Sequence, residues 1–232
     1  MTSSGSARAG AEALGTAILV AVGTGTVVAA ARLDGIAWWL MALAWTLAVL
    51  VPVLLFVRVS GAHINPAVTL ALAASGRIAW REAPIYLLSQ FAGAFLGSAV
   101  VLASLGNLAH LGANLPAHGA VAESFLGELG FTALLVSSVF VLADRGEGRG
   151  HWRLLLPPAS VGLATFVLGE WTGTCSLNPA RALAPAVLSG TFADLWVYLV
   201  AVPLGGLLVG VAWKPRSVDR EDRGPGRVSA VA

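Results

Sequence analysis

The chain has 232 residues, of which 57% are hydrophobic and only 11% are charged, and its mean hydropathy is +0.81. This composition excludes an ordinary soluble domain and predicts an integral membrane protein. The single cysteine, Cys175, excludes an internal disulfide framework and a zinc site built from cysteines, and it makes redox chemistry an unexpected function.

Six apolar runs are long enough to cross a bilayer as helices, since a span needs about 20 mainly apolar residues. They cover roughly residues 11–31, 37–57, 83–105, 120–143, 154–170 and 195–213. The first run is too long for a cleaved signal peptide and has a carboxylate, Glu12, near its start. We therefore predict one all-α membrane domain over residues 11–213, between a disordered tail at 1–10 and a solvated tail at 214–232.

The basic residues predict the orientation of these spans. With both termini in the cytoplasm, twelve of the fourteen basic residues lie inside, and only Arg32 and Arg181 fall outside. This asymmetry satisfies the positive-inside rule. The basic excess therefore orients the protein and gives no support to nucleic-acid binding.

Self-comparison reveals an internal duplication. The stretch that begins at Glu12 in the first span matches the stretch that begins at Glu128 in the fourth span. Each is followed by the tripeptide Asn-Pro-Ala, fifty-three residues later in the first half and fifty residues later in the second. The halves cover about 11–105 and 120–213, and since each contains an odd number of spans, they insert with opposite orientations.

The two tripeptides are predicted helix starts. They consist of Asn65, Pro66 and Ala67 in the first half and Asn178, Pro179 and Ala180 in the second. Asparagine is a preferred N-cap residue, and proline suits the first helical turn. The apolar runs that follow, 68–74 and 183–188, are too short to cross a bilayer. Irregular backbone at membrane depth lies inside protein or beside a water-filled cavity, so two opposed half-helices predict a central pore.

These features resemble those of the aquaporins. The segments Ser60–Thr69 and Asn178–Arg181 look like the two signature loops of that family, and Gly23–Gly25 and Gln90–Gly93 resemble further family positions. The similarity extends over nearly the whole chain. It implies an all-α integral membrane fold with six transmembrane helices and two re-entrant half-helices, arranged as an inverted 3+3 repeat around a central pore. It also implies a homotetramer in the lipid bilayer, with one pore in each subunit.

Three residues are expected to act on the solute. The side-chain amides of Asn65 and Asn178 can donate to a water oxygen at the midpoint, where the positive ends of both half-helices oppose cations. The alternative is that both asparagines only cap their helices. The resemblance implies that Arg181 belongs to a selectivity filter near the outer end of the pore. Its alternative role is to reach the outer headgroups.

Three further residues are expected to support the loops. Carboxylates within a membrane mark function, pairing or proton relay by default. The positions of Glu12 and Glu128 resemble those of the family's glutamates that accept backbone N–H bonds from the re-entrant loops. His63 is expected to brace its loop rather than to bind a metal.

The remaining filter positions follow from counting along the resemblance. Trp45 lies twenty residues before the first asparagine, and Cys175 lies three residues before the second. The fifth-span position stays open between Phe166, found by counting back from the second asparagine, and Gly169, found by aligning the span itself. A proline within the second span, Pro52, can kink that helix and move Trp45.

These filter alternatives predict different permeants. Trp45 with Phe166 would make a narrow pore, whereas Trp45 with Gly169 resembles the wider filters that conduct glycerol. Ala182 and Ala186 resemble residues of water channels. The sequence therefore predicts a passive water channel of the plasma or inner membrane, without a cofactor, that excludes protons and ions. The alternative is a facilitator for glycerol or another small neutral solute.

Other classes of protein fit less well. A secondary transporter would use Glu12 and Glu128 as proton carriers, and would give saturable flux driven by a pH gradient. An intramembrane enzyme would need a nucleophile or a metal site within the spans, and the sequence offers no suitable pattern. An ion channel would need a ring of carbonyls or carboxylates at the midpoint.

Overall fold

The computed structural model describes residues 3–117, 119–144 and 151–213. The described helices are α1 (Gly5–Ala31), α2 (Trp38–Ser60), α3 (Pro66–Ala74), α4 (Ala83–Leu105), α5 (Val121–Asp144), α6 (Leu156–Thr172), α7 (Pro179–Ser189) and α8 (Leu195–Ala212). Two short 3₁₀ turns cover Ala109–Gly112 and His151–Leu155. Six of the described helices are long and apolar enough to cross a membrane, as the sequence predicted. The short helices α3 and α7 are the predicted half-helices.

The first helix begins earlier than its apolar run. Residues 5–10, which the sequence placed in a disordered tail, form the first turns of α1. The reason is local, because the Ser4 hydroxyl accepts the Ala7 backbone N–H and caps the helix. Arg8 of the added turns also lies 3.6 Å from a carboxylate oxygen of Glu82, just before α4. The predicted tail at 214–232 and residues 145–150 lie outside the described residues.

Matched glycines hold the two halves in the same way. A side chain at Gly93 of α4 would collide with the backbone of Ala13 in α1. At the equivalent place in the second half, a side chain at Gly205 of α8 would collide with the backbone of Leu129 in α5. Small residues let membrane helices approach closely. The contacts α1–α4 and α5–α8 are therefore equivalents, and the duplication seen in the sequence is also a duplication of packing.

The first half-helix is held along its length by the last helix. Gly206 and Gly210 of α8 face the backbone of Ala67 and Ala71 in α3, with no room for a side chain between them. α3 therefore cannot slide along its axis without a clash. This packing fixes the depth at which its first residue lies.

Glycines in the left-handed conformation end the helices that lead into both re-entrant segments. α2 ends at Gly61 with φ 86°, and α6 ends at Gly173 with φ 77°. A left-handed residue stops the helix and turns the chain, and glycine adopts it without a steric penalty. Pro52 lies buried within α2, which continues as one helix from Trp38 to Ser60. Trp45 thus stays on a continuous helix.

Candidate functional site

The two asparagines lie close together at the centre of the molecule. The side-chain amide of each donates a hydrogen bond to the loop that carries the other. Asn65 Nδ2 donates to the Leu177 carbonyl at 2.7 Å, and Asn178 Nδ2 donates to the Ile64 carbonyl at 2.9 Å. Each side-chain oxygen caps its own half-helix, at Ala67 N and at Ala180 N. A side-chain amide has two N–H groups. One hydrogen on each Nδ2 is therefore used by the opposite loop, and the other is available to a solute.

The residues that precede the asparagines have equivalent, strained backbones. Ile64 has φ 44° and Leu177 has φ 55°, in the left-handed region that residues with a side chain rarely adopt. Their carbonyls are the acceptors for the opposite asparagines. Strain of this kind persists where the surroundings impose it, and it concentrates at functional sites. Here it turns each carbonyl towards the other half of the protein.

Glu12 satisfies the first re-entrant loop. It is fully buried, and its two carboxylate oxygens accept four hydrogen bonds. Two come from the backbone N–H groups of His63 and Ile64, at 2.9 and 2.7 Å. The others come from the Ser60 hydroxyl at 2.6 Å and from Gln90 Nε2 at 2.7 Å. The geometry is that of a structural acceptor that satisfies backbone groups which lipid cannot satisfy.

Glu128 accepts hydrogen bonds from the second re-entrant loop in the same way, but it has fewer hydrogen-bond partners. Its oxygens accept the backbone N–H groups of Ser176 and Leu177, at 2.6 and 2.8 Å. No hydroxyl or amide side chain donates to it among the described residues. The two glutamates thus occupy equivalent positions but are satisfied to different degrees.

His63 is built into the first loop by its ring as well as its backbone. Its Nδ1 lies 3.2 Å from the Thr69 hydroxyl, and its ring stacks on Tyr86 with the centroids 4.6 Å apart. Tyr86 in turn donates its hydroxyl to the Ser60 carbonyl at 2.9 Å. Across the described residues no group of three or more His, Cys, Asp or Glu side chains is arranged to hold a metal. The ring thus connects the loop to α3 through Thr69 and to α4 through Tyr86.

A cavity of about 190 Å³ lies beside the start of α7 and the segment that precedes it, and we call it the outer cavity because Arg181, one of its lining residues, is expected near the outer end of the pore. Its wall combines apolar side chains from α1 and α2 with polar groups from α6, α7 and the loops that precede α5 and α7. The lining residues are Val27, Trp38, Met41, Trp45, Gly112, Ala113, Leu115, Thr165, Gly173, Thr174, Cys175 and Arg181. Three of the predicted filter residues, Trp45, Cys175 and Arg181, are among them.

Arg181 forms part of the cavity wall, and two contacts hold its guanidinium: a hydrogen bond and a cation–π contact. Its side chain is only 3% exposed, so it does not reach out to headgroups. Its Nη1 donates to the Gly112 carbonyl at 2.9 Å, and its guanidinium lies over the Trp45 ring, 4.7 Å from the centroid. Its Nε has no protein partner among the described residues. The guanidinium is therefore fixed beside an aromatic face in the cavity wall.

The fifth-span position differs from both predicted alternatives. Thr165 lines the cavity, whereas Phe166 is 44% exposed on the outer surface of the helix. Gly169 is buried one turn beyond Thr165, and a side chain there would collide with the Trp38 ring. Gly169 thus makes room for Trp38 and does not line the cavity. The fifth span thus contributes a hydroxyl to the cavity wall, where the alternatives predicted a phenyl ring or no side chain.

Cys175 lies where the second re-entrant segment opens into the cavity. Its side chain is partly exposed, and it is a free thiol. Its carbonyl accepts from Asn114 Nδ2 at 3.0 Å, and the same amide donates to the Thr174 hydroxyl at 2.8 Å. The loop before α5 thereby fastens the segment that carries the thiol.

Comparison with known proteins identifies the family. A family model described as "Major intrinsic protein" matches residues 2–213. The chain belongs to the major intrinsic protein family. Among its relatives, aquaporin NIP1-1 of Zea mays is 38% identical over 205 residues, which are 88% of this chain and 71% of the relative. Aquaporin TIP4-4 of Zea mays is 36% identical over 215 residues, which are 88% of this chain and 83% of the relative.

A solved structure also resembles this major intrinsic protein. The X-ray structure of the aquaglyceroporin from Plasmodium falciparum matches it with a TM-score of 0.77 and 26% sequence identity, over 91% of this chain and 96% of that one. The all-α fold with two half-helices is therefore the fold of the family. The relatives include proteins named aquaporin and aquaglyceroporin, so the family alone leaves the solute open.

Sequence reasoning missed several groups at the site of this major intrinsic protein. Gln90 was noted as a family position, but its contact with Glu12 at 2.7 Å was not foreseen. Thr165 had a usable signal, since it lies four residues before Gly169 and shares its helix face. Gly112 and Asn114 gave no signal, because both lie in a loop whose course depends on tertiary contacts.

Proposed function

We propose that the protein is a passive channel for water that excludes protons and ions. The observation that carries the proposal is the reciprocal pairing of Asn65 and Asn178 across the two loops. It brings two half-helix N-termini, each with a partial positive charge, to one point inside the membrane. Water can accept the free amide hydrogens there, whereas a cation meets two positive ends, as in aquaporin-type pores generally.

The outer cavity supports water as the main solute. The bulky Trp45 ring and the Arg181 guanidinium lie against each other in the cavity wall, 4.7 Å apart. Thr165 and Cys175 add small polar side chains to the same lining. A solute that passes must be small and able to accept hydrogen bonds from the guanidinium. Water meets both conditions.

A facilitator for glycerol or a similar neutral solute is the second candidate. The cavity lining combines the apolar side chains of Trp38, Met41 and Trp45 with the hydrogen-bond donor Arg181. A small polyol has a carbon face and a hydroxyl face that would match these two kinds of group. The likeness to an aquaglyceroporin structure supports the same alternative.

The assembly and location are also proposals. Both termini lie in the cytoplasm, which gives the strong excess of basic residues on that side that the positive-inside rule requires. The membrane is the plasma or inner membrane, and the protein is a homotetramer with a pore in each subunit. No cofactor is required, since conduction involves only hydrogen bonds and helix dipoles.

A mercurial is expected to close the channel by binding to the sulfur atom of Cys175. Cys175 is the single cysteine of the chain and lines the outer cavity, so a mercurial bound to its sulfur would obstruct the solute path. Stopped-flow light scattering of proteoliposomes should show that the mercurial removes most of the water permeability of the wild type. A thiol reagent should restore it.

The matched control is Cys175→Ser, which keeps a small polar side chain and removes the mercury ligand. Its water permeability should equal that of the wild type and should not respond to the mercurial. A wild type that conducts but resists mercury would remove Cys175 from the solute path. A wild type that conducts no water would overturn the proposed function itself.

A further inference from the structure

A strained left-handed turn lies beside the outer cavity. Ala109, His110, Leu111 and Gly112 have φ values of 45°, 52°, 55° and 70° in succession. L-residues avoid this conformation and adopt it as single residues far more readily than in a run. Three of these four residues carry side chains. Such a turn persists only where its surroundings impose it, and strain of this kind is a reason to look for a role.

The turn packs against α7, the half-helix that carries Arg181, as well as against α1 and α4. His110 Nδ1 lies 3.0 Å from the hydroxyl of Thr191, just beyond the end of α7. Thr191 is itself fixed to α7, since its N–H donates to the Ala186 carbonyl at 2.8 Å. Leu111 is fully buried in an apolar socket that includes Leu188, from the last turn of α7. The turn is therefore fixed to α7 near the C-terminal end of that helix.

The same turn also reaches the start of α7. Gly112 lies against Thr24 and Val27 of α1, with little room for a side chain, and its carbonyl accepts from Arg181 Nη1 at 2.9 Å. Among the described residues this is the one hydrogen bond that the guanidinium makes. The position of that carbonyl, together with the Trp45 ring, therefore fixes where the cation lies in the cavity wall. The position of the Gly112 carbonyl in turn depends on the conformation of the turn Ala109–Gly112.

We propose that the turn Ala109–Gly112, anchored by His110 on Thr191 and by Leu111 in its socket, positions the Arg181 guanidinium and thereby sets the ratio of glycerol to water permeability. His110 and Thr191 are positioning residues, because neither lines the cavity. The inference rests on the proposed channel function. It adds to that function a mechanical link, outside the pore, between the far end of α7 and the filter.

The link predicts a change in selectivity rather than a loss of flux. When the anchor is broken, the strained turn relaxes and the Gly112 carbonyl no longer holds the guanidinium against Trp45. The free space near Arg181 then grows. Water already fits the path, so its permeability changes little. Glycerol is larger, and its permeability should rise.

The test compares four variants in proteoliposomes, with water and glycerol permeabilities measured by stopped-flow light scattering and the ratio taken within each preparation. Thr191→Val and His110→Ala break the anchor. Thr191→Ser keeps the hydroxyl. Thr26→Val is the matched control, because the Thr26 hydroxyl bonds the Val22 carbonyl of its own helix at 2.8 Å.

Thr191→Val and His110→Ala should each raise the glycerol-to-water ratio about threefold, as expected for the loss of one hydrogen bond of modest net strength. Thr191→Ser and Thr26→Val should keep the wild-type ratio. Because a ratio does not depend on the amount of folded protein, partial misfolding leaves the test intact. An unchanged ratio in both anchor variants would overturn the inference and leave the channel function standing. Absence of flux in the wild type would instead overturn the channel function.

Discussion

Replacing Arg181 by alanine is expected to make the protein leak protons and other cations. The guanidinium lies at the cavity wall, so a cation that passes would approach it to within about 5 Å. Two unit charges at that distance repel by about 3 kcal/mol at an effective dielectric constant of about 20. That barrier corresponds to about a hundredfold in rate. Removing the charge should therefore raise the leak by up to about that factor.

The leak can be measured with a pH-sensitive dye inside proteoliposomes after an external acid pulse. Arg181→Lys is the control, since it keeps the charge and loses only the planar fork that reaches Gly112 and Trp45. It should leak far less than the alanine variant. Water permeability should persist in both. If Arg181→Ala excludes protons as well as the wild type does, the barrier lies at the asparagines alone and the role proposed here for Arg181 is wrong.

Neutralising Glu12 is expected to cost more stability than neutralising Glu128. Glu12 accepts four hydrogen bonds in a fully buried site, while Glu128 accepts two from the backbone. A glutamine puts an N–H donor where the carboxylate accepted, so at least one buried donor loses its partner. Removing an acceptor from a buried charge-assisted network typically costs about 3 kcal/mol or more. Glu12→Gln should lose the most because more donors depend on it.

Thermal unfolding in detergent measures this difference, with both variants compared with the wild type. The same pair of variants distinguishes a channel from a proton-coupled transporter. In a channel, whatever fraction of the variant folds should conduct passively, with flux that is independent of a pH gradient. A stable, well-folded Glu12→Gln protein that has lost pH-driven flux would favour the transporter and contradict the structural role of this glutamate.

Much of the architecture could be predicted because the bilayer imposes it. Six apolar runs of sufficient length give six spans, and the observed helices agree with them closely. The half-helices could be foreseen because Asn-Pro is a helix start and the apolar run after it is short. The start of α1 could not be read from hydropathy. It depends on the capping hydroxyl of Ser4, which lies outside the apolar run.

The cavity wall was harder to predict than the fold. The presence of Trp45, Cys175 and Arg181 follows from their fixed distances to the two asparagines, which the half-helices hold in place. The fifth span offers no such anchor. One residue of register rotates a helix by about 100°, which moves Phe166 to the outer surface and Thr165 into the cavity. Counting residues cannot resolve a rotation of that size.

The loop that holds Arg181 was beyond sequence reasoning for a different reason. Its left-handed residues are ones that local propensity would place elsewhere. Leu111 adopts this conformation because an apolar socket between helices receives it, and Gly112 because α1 lies close by. These are tertiary causes. They involve residues more than seventy positions apart in the chain, such as Leu111 with Leu188 or His110 with Thr191.

The most direct test of the central claim measures water and proton permeability in the same wild-type proteoliposomes. Vesicles are exposed first to a sucrose gradient and then to an acid pulse, with empty vesicles as the reference. The opposed half-helices predict fast water efflux, indifferent to any pH gradient, with a proton leak no greater than that of empty vesicles. Water efflux no faster than in empty vesicles, or water flux accompanied by a matching proton leak, would contradict the account.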